Sequence, residues 1–212
     1  MAKQTFNEAE SFLLRNWGEA LVLEETMARA RVKQQELFEK MGEAVLGGYP
    51  GCLDTFTGFF TQKWSDGQLY FGRKNWPSQY NCSAGLWLSP LGLDSLADAE
   101  TEAPEAYIFV RPARKLAGLD VVAAKQKLWR ELPKLLTAKE HDACLKHEEE
   151  KDFLVGWPFS SKQEILGWII AGDEPKLTEC IQDQVAIFVK LVPLLNDLLR
   201  SDKAEKSPPL TL

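Results

Sequence analysis

A chain of 212 residues with 45% hydrophobic and 26% charged residues is long enough for one domain with a full core, and its composition excludes wholesale disorder. The formal net charge of -6 argues against a dedicated DNA binder, because cationic side chains supply most non-specific affinity for phosphate. No run approaches the roughly 20 apolar residues a spanning helix needs, so no membrane association is expected. The opening Met1-Ala2-Lys3-Gln4-Thr5 has no apolar leader, so the expected location is cytoplasmic. Cys52, Cys82, Cys144 and Cys180 are widely spaced with no CxxC pair, and read as free thiols of a reducing compartment.

Thr5 to Leu46 contains no proline and is rich in Glu, Ala, Leu, Lys, Arg, Gln and Met, which predicts one long helix. Leu13, Asn16, Ala20, Leu23, Met27, Ala30, Gln34, Leu37, Met41 and Ala44 recur in alternating steps of three and four. That is a heptad seam, with Asn16 and Gln34 as polar positions inside it. Two readings follow: a helix packed on its own domain, or a projecting helix that pairs with another chain. In the second reading Leu23, Met27, Ala30, Gln34, Leu37 and Met41 form a self-association face, giving a homodimer. Gly47-Gly48 and Pro50-Gly51 end the helix.

The densest aromatic stretch runs from Phe56 to Trp87 and predicts the sheet. A first strand is expected to continue through Trp64, with Asp66-Gly67 as a two-residue hairpin turn. The return strand covers Gln68 to Lys74, with Leu69 and Phe71 toward the core beside Phe56, Phe60 and Trp64. A third strand covers Cys82 to Ser89, and Tyr107 to Val110 is a short apolar run. Phe153 to Val155 is an optional last strand. Between them, Leu93 to Glu105 is acidic and reads as an exposed loop or short helix.

Helices are expected from Val121 to Leu136 behind an Asp120 cap, from Thr137 to Glu150, from Ser160 or Ser161 to Ala171, and from Glu174 to Arg200. Pro193 should kink or split the last of these. The predicted class is α+β: a long N-terminal helix, a small antiparallel sheet of three to four strands within residues 54–110, extended by 153–156 when that strand forms, and C-terminal helices on one sheet face. The expected division is 1–48 heptad-bearing helix, 49–200 α+β domain and 201–212 disordered tail.

Chemistry is sparse. His141, Cys144 and His147 offer N and S ligands, but on a helix the two histidines point away from each other, so no metal site is expected. No G-x-S-x-G elbow and no phosphate loop is present, and no cofactor is expected. Arg73 and Lys74 adjoin Tyr70 and Trp76, and Arg111, Arg114, Lys115, Lys125, Lys127, Arg130 and Lys134 face only Asp120 and Glu131. Tyr70, Arg73, Lys74, Trp76, Arg111 and Arg114 are therefore the candidate ligand-binding set, for phosphate contact and base stacking.

The closing segment from Trp157-Pro158 through the final helix resembles the tail of some PD-(D/E)XK-superfamily proteins. The catalytic motif of that superfamily is missing, so the resemblance implies at most a nuclease-related partner. The leading expectation is a non-enzymatic interaction protein that binds a protein partner, with self-association through the first helix. The alternative is a nucleic-acid or nucleotide-binding module, and the weaker alternative an enzyme, nuclease-like or other, with a site assembled from scattered residues.

Overall fold

The computed structural model describes residues 7–60, 67–74, 76, 82–112, 121–146 and 153–204. In chain order the described elements are α1 (Glu8–Arg15), α2 (Trp17–Gly47), β1 (Thr55–Phe60), β2 (Gln68–Gly72), β3 (Cys82–Ser89), α3 (Leu93–Ala97), β4 (Glu105–Pro112), α4 (Val121–Leu135), α5 (Ala138–Asp142), β5 (Phe153–Pro158), α6 (Lys162–Ala171) and α7 (Glu174–Ala204). The class is α+β, as the segregated pattern predicts. The sheet has five strands rather than three or four, because Phe153–Pro158 forms and pairs with β4.

The strands form an antiparallel meander in chain order, β1-β2-β3-β4-β5. Residues directly opposite on neighbouring strands share a face. Leu69 lies opposite Leu88, Phe71 opposite Leu86, Leu86 opposite Ile108, and Ile108 opposite Val155. All six are buried, together with Ala84, Ala106, Val110 and Trp157 of the same face. Phe56 stands opposite Phe71 with ring centroids 5.2 Å apart, so the expected pairing of these aromatics on the core face holds.

Three helices cover that face. From α2 come Phe38, Met41 and Val45; from α4, Ala124, Leu128 and Leu132; from α7, Leu177, Ile181, Val185, Phe188, Leu191, Leu195 and Leu198. Trp157 anchors β5 to α7 by donating its Nε1–H to Gln184 Oε1 at 2.9 Å. Trp129 of α4 donates to the Leu154 carbonyl at 3.1 Å, where a register shift in the β4–β5 pairing frees it.

Several boundaries differ from the sequence reading, each for a local reason. The first helix is interrupted at Asn16, whose φ of -111 and ψ of 29 leave the helical region. Its side-chain amide donates to the Phe12 carbonyl at 2.9 Å, competing with the backbone for that acceptor. Phe60, the last described residue of β1, pairs with Gln68, and the expected Asp66-Gly67 turn falls largely on undescribed residues. Gly67 does adopt the expected positive φ, 71°, while Asp66 and Trp64 lie outside the described residues. The helix after Thr137 has its capping box with Glu140 but stops at Asp142. Leu145 then exchanges both backbone hydrogen bonds with Gly156 and so joins β5 instead. Ser161, not Ser160, caps α6, and Gly172 closes it in the left-handed conformation. The Asp120 cap lies outside the described residues.

Helix α7 runs through Pro193 without being split. Proline in a helix interior removes one hydrogen bond and crowds the preceding turn. Here Leu191 and Val192 on one side and Leu195, Leu198 and Leu199 on the other are all buried, and their packing holds the two halves in one helix. Pro193 itself faces solvent. The helix reaches Ala204, four residues into the expected tail, and 205–212 lie outside the described residues.

The other sheet face carries Tyr70, Trp87, Tyr107 and Phe109. The Tyr70 ring lies across Gly72 and Gly85, and its hydroxyl donates to the Ala84 carbonyl at 2.9 Å. A Cβ on Gly85 would stand 2.5 Å from the Phe71 carbonyl oxygen and 2.4 Å from Tyr70 Cε2. The backbone oxygen cannot retreat without breaking the β2–β3 ladder. Gly85→Ala is therefore expected to cost about 1–3 kcal/mol in urea denaturation, by overpacking, with no loss of secondary structure in the remaining folded fraction.

Candidate functional site on the helical arm

Helix α2 has two halves with opposite fates. From Gln34 onward its inner face belongs to the core: Gln34, Phe38, Met41, Gly42 and Val45 are buried. Before Gln34 several large apolar side chains of α1 and α2 stand in solvent. Phe12 is 66% exposed, Trp17 57%, Val22 61%, Leu23 60% and Met27 42%. The expectation of a helix packed on its own domain thus describes the half from Gln34 onward, and the half before it is exposed.

Gln34 marks the boundary. Its Nε2 donates to the Leu91 carbonyl at 2.7 Å, and its Oε1 accepts from the Leu93 backbone N–H at 3.2 Å. Both ends of the amide are satisfied, as a buried polar group requires. One turn earlier, Arg31 reaches the same segment and donates to both carboxylate oxygens of Asp94 at 2.9 and 3.0 Å. Lys40 pairs with Glu174 of α7 at 2.8 Å and ties down the buried half.

Of the expected self-association residues, Leu23, Met27 and Ala30 are exposed, Leu37 is half-buried, and Gln34 and Met41 are inside the fold. The last two serve the domain and not a partner, because the domain itself closes over the seam there. Upstream, Phe12, Asn16, Ala20, Leu23 and Met27 line a shallow groove flanked by Glu19 and Arg31. The seam did not include Trp17, Val22 or Val32, which stand exposed beside it. Their signal was present: aromatic and β-branched residues at helix positions that normally carry polar side chains.

The basic and aromatic set does not assemble. Trp76 is fully buried on the core side, edge-on to Phe188 at 6.4 Å, with its Nε1–H bonded to Asn196 Oδ1 at 2.8 Å. It is a core residue and offers no face to a base. Tyr70 sits on the opposite sheet face with its hydroxyl engaged. Lys74 is exposed, and its backbone N–H donates to Asp54 Oδ1 at 2.6 Å. Arg73 is half-buried, and its Nε has no hydrogen-bond partner among the described residues. Arg111 pairs through its backbone with Ser83 on β3, and Arg114 lies outside the described residues.

The histidine–cysteine segment is also dispersed. His141 sits 3.7 Å from Asp142, while His147 lies outside the described residues. The Cys144 thiol donates to the Glu140 carbonyl at 3.3 Å, and burial together with the Glu140 charge pushes it up to about 11. Burial raises Cys180 as well, against the opposing effect of a hydrogen bond between it and the Ser160 hydroxyl at 3.3 Å. Raised thiols are poor nucleophiles, because the thiolate is the reactive form. Among the described residues no group of three or more His, Cys, Asp and Glu side chains is arranged to hold a metal ion. Lys190 holds the Glu140 carboxyl below its ordinary range through an ion pair of 2.6 Å. Such a lowered carboxylate contributes stability above its unfolded value and loses it as pH falls through the folded value. This pair joins α5 to α7 and is structural.

The acidic segment is held down by Lys162 at the start of α6, a lysine only 8% exposed. Its ammonium donates to the carbonyls of Asp98 and Thr101. Asp98 itself is lowered by hydrogen bonds from the Glu100 backbone and the Thr101 side chain. No described helix is long and apolar enough to cross a membrane. Comparison with protein-family models, with curated proteins and with solved structures finds no match to this chain.

Two outcomes are expected from this placement. Trp76→Ala should lower stability by about 3–5 kcal/mol, as large-to-small changes in cores do, whereas Lys74→Ala should leave the unfolding midpoint within experimental error. At pH 8, exposed Cys52 should be modified by a thiol reagent well before Cys144 and Cys180, read by peptide mass spectrometry.

Proposed function

We propose that this is a non-enzymatic interaction protein that works by binding another macromolecule through the uncovered stripe of its helical arm, with a second copy of itself as the partner. One observation carries the reading. The stripe that packs into the core from Gln34 to Val45 continues upstream as Met27, Leu23, Trp17 and Phe12, where nothing among the described residues covers it. Contiguous exposed apolar surface on one helix face is costly in water and marks interaction sites.

The domain below acts as a mount. It grips α2 through Phe38, Met41 and Val45, and fixes the direction of the arm through Gln34 and the Arg31–Asp94 pair. A preorganised helix loses less entropy on pairing than one that must first fold. Within it Ala20, Leu23, Met27 and Ala30 keep the heptad spacing, the pattern that pairs with another helix of the same kind. Cys52, Cys144 and Cys180 as free thiols are in keeping with action in a reducing compartment such as the cytoplasm.

Sedimentation velocity over a wide concentration range tests the reading. The wild-type chain should shift from monomer to dimer as concentration rises. Replacing Leu23 and Met27 together by Asp should hold it monomeric without lowering its thermal stability, since both side chains are exposed. A wild-type chain that stays monomeric at the highest concentration overturns self-association.

A further inference from the structure

The uncovered arm has defined limits. Asn16 bends it at one end, and at Gln34 the domain closes over the seam. The straight, uncovered span therefore runs from Trp17 to Lys33. Resting on the self-association proposed above, we infer that two copies pair antiparallel over this span, with Glu19 of each copy against Lys33 of the other.

The heptad positions lead to that orientation. Ala20 and Met27 stand at a, and Leu23 and Ala30 at d. Trp17, Glu24 and Arg31 follow at e, and Glu19, Thr26 and Lys33 at g. Antiparallel helices set a against d of the partner, with g meeting g and e meeting e; parallel helices set a against a, with g meeting the following e. Aligning the two spans end to end in opposite directions puts Leu23 against Met27 and Ala20 against Ala30. Bulky residues then face bulky ones and small residues face small ones.

The flanks decide between the orientations. In the antiparallel pair Glu19 meets Lys33 twice, once on each side of the dyad. Trp17 meets Arg31 twice, and Asp94 already holds that guanidinium in place for stacking on an indole face. Glu19, Trp17 and Lys33 are all exposed. The one unfavourable contact is Glu24 against its own copy at the dyad. A parallel pair would instead set Glu19 against Glu24 on both sides and make no Glu19–Lys33 contact. It would also bring two domains side by side at Gln34, whereas the antiparallel pair carries them to opposite ends of a span about 25 Å long.

Charge exchange separates the orientations. The dimer dissociation constant is measured by sedimentation for wild type, Glu19→Lys, Lys33→Glu and the double variant, with circular dichroism confirming equal helix content. Each single variant should raise the constant about tenfold, since two attractive contacts per dimer become repulsive. The double variant should restore it. If Glu19→Lys tightens association or leaves it unchanged, the antiparallel pairing is overturned while self-association stands. Single variants that weaken association without restoration in the double variant overturn the Glu19–Lys33 contact. A wild-type chain that is monomeric throughout overturns both this inference and the reading it rests on.

Discussion

The amide of Gln34 is the joint on which this molecule turns. A buried glutamine must satisfy a donor and an acceptor together, and the chain between Leu91 and Leu93 supplies both partners. The bond fixes where the domain ends along α2. On its C-terminal side the helix is an ordinary core element under the sheet. On its N-terminal side the apolar residues of the helix are uncovered among the described residues. A leucine at this position would match the seam but leave the Leu91 carbonyl and Leu93 N–H without their partner. Groups left unmet in that way cost about 1–3 kcal/mol each.

The fold was legible where the pattern was strict. Leu69 and Phe71 alternate with Tyr70, and the core face follows from that alternation alone. Helix caps were readable too, because Thr137 and Ser161 each precede a glutamate at the third helical position. Where tertiary contacts compete with local pattern, the reading failed. The segment after Asp142 has helical composition, yet Leu145 pairs with Gly156 because β5 offers it two backbone hydrogen bonds. Pro193 should kink or split α7, and with buried leucines on both sides the helix is not split.

The candidate site was legible in part, for a physical reason. A heptad seam shows which residues share a stripe but not what lies over them. Gln34 and Met41 obey the same spacing as Leu23 and Met27, but Gln34 is met by the chain from Leu91 to Leu93 and Met41 lies in the core cluster, whereas Leu23 and Met27 are exposed. Trp76 shows the converse. Beside Arg73 and Lys74 it has the composition of a stacking site, but Asn196, far away in sequence, receives its indole N–H and Phe188 its ring edge. Burial of an aromatic residue depends on elements that its neighbours in sequence do not reveal.

The nearest-neighbour order of the five strands bears on how the chain reaches this state. Each strand pairs with the one before it, so the sheet can grow by local steps with small loop-closure cost. Its apolar face is another matter. The cover comes from α2, ahead of β1, and from α7, behind β5, so the two halves of the lid are far apart in sequence. A nascent chain that has completed the meander but not α7 carries Leu86, Leu88, Ile108 and Val155 only partly covered. Such a face attracts other chains until the residues after Pro158 are made and folded over it.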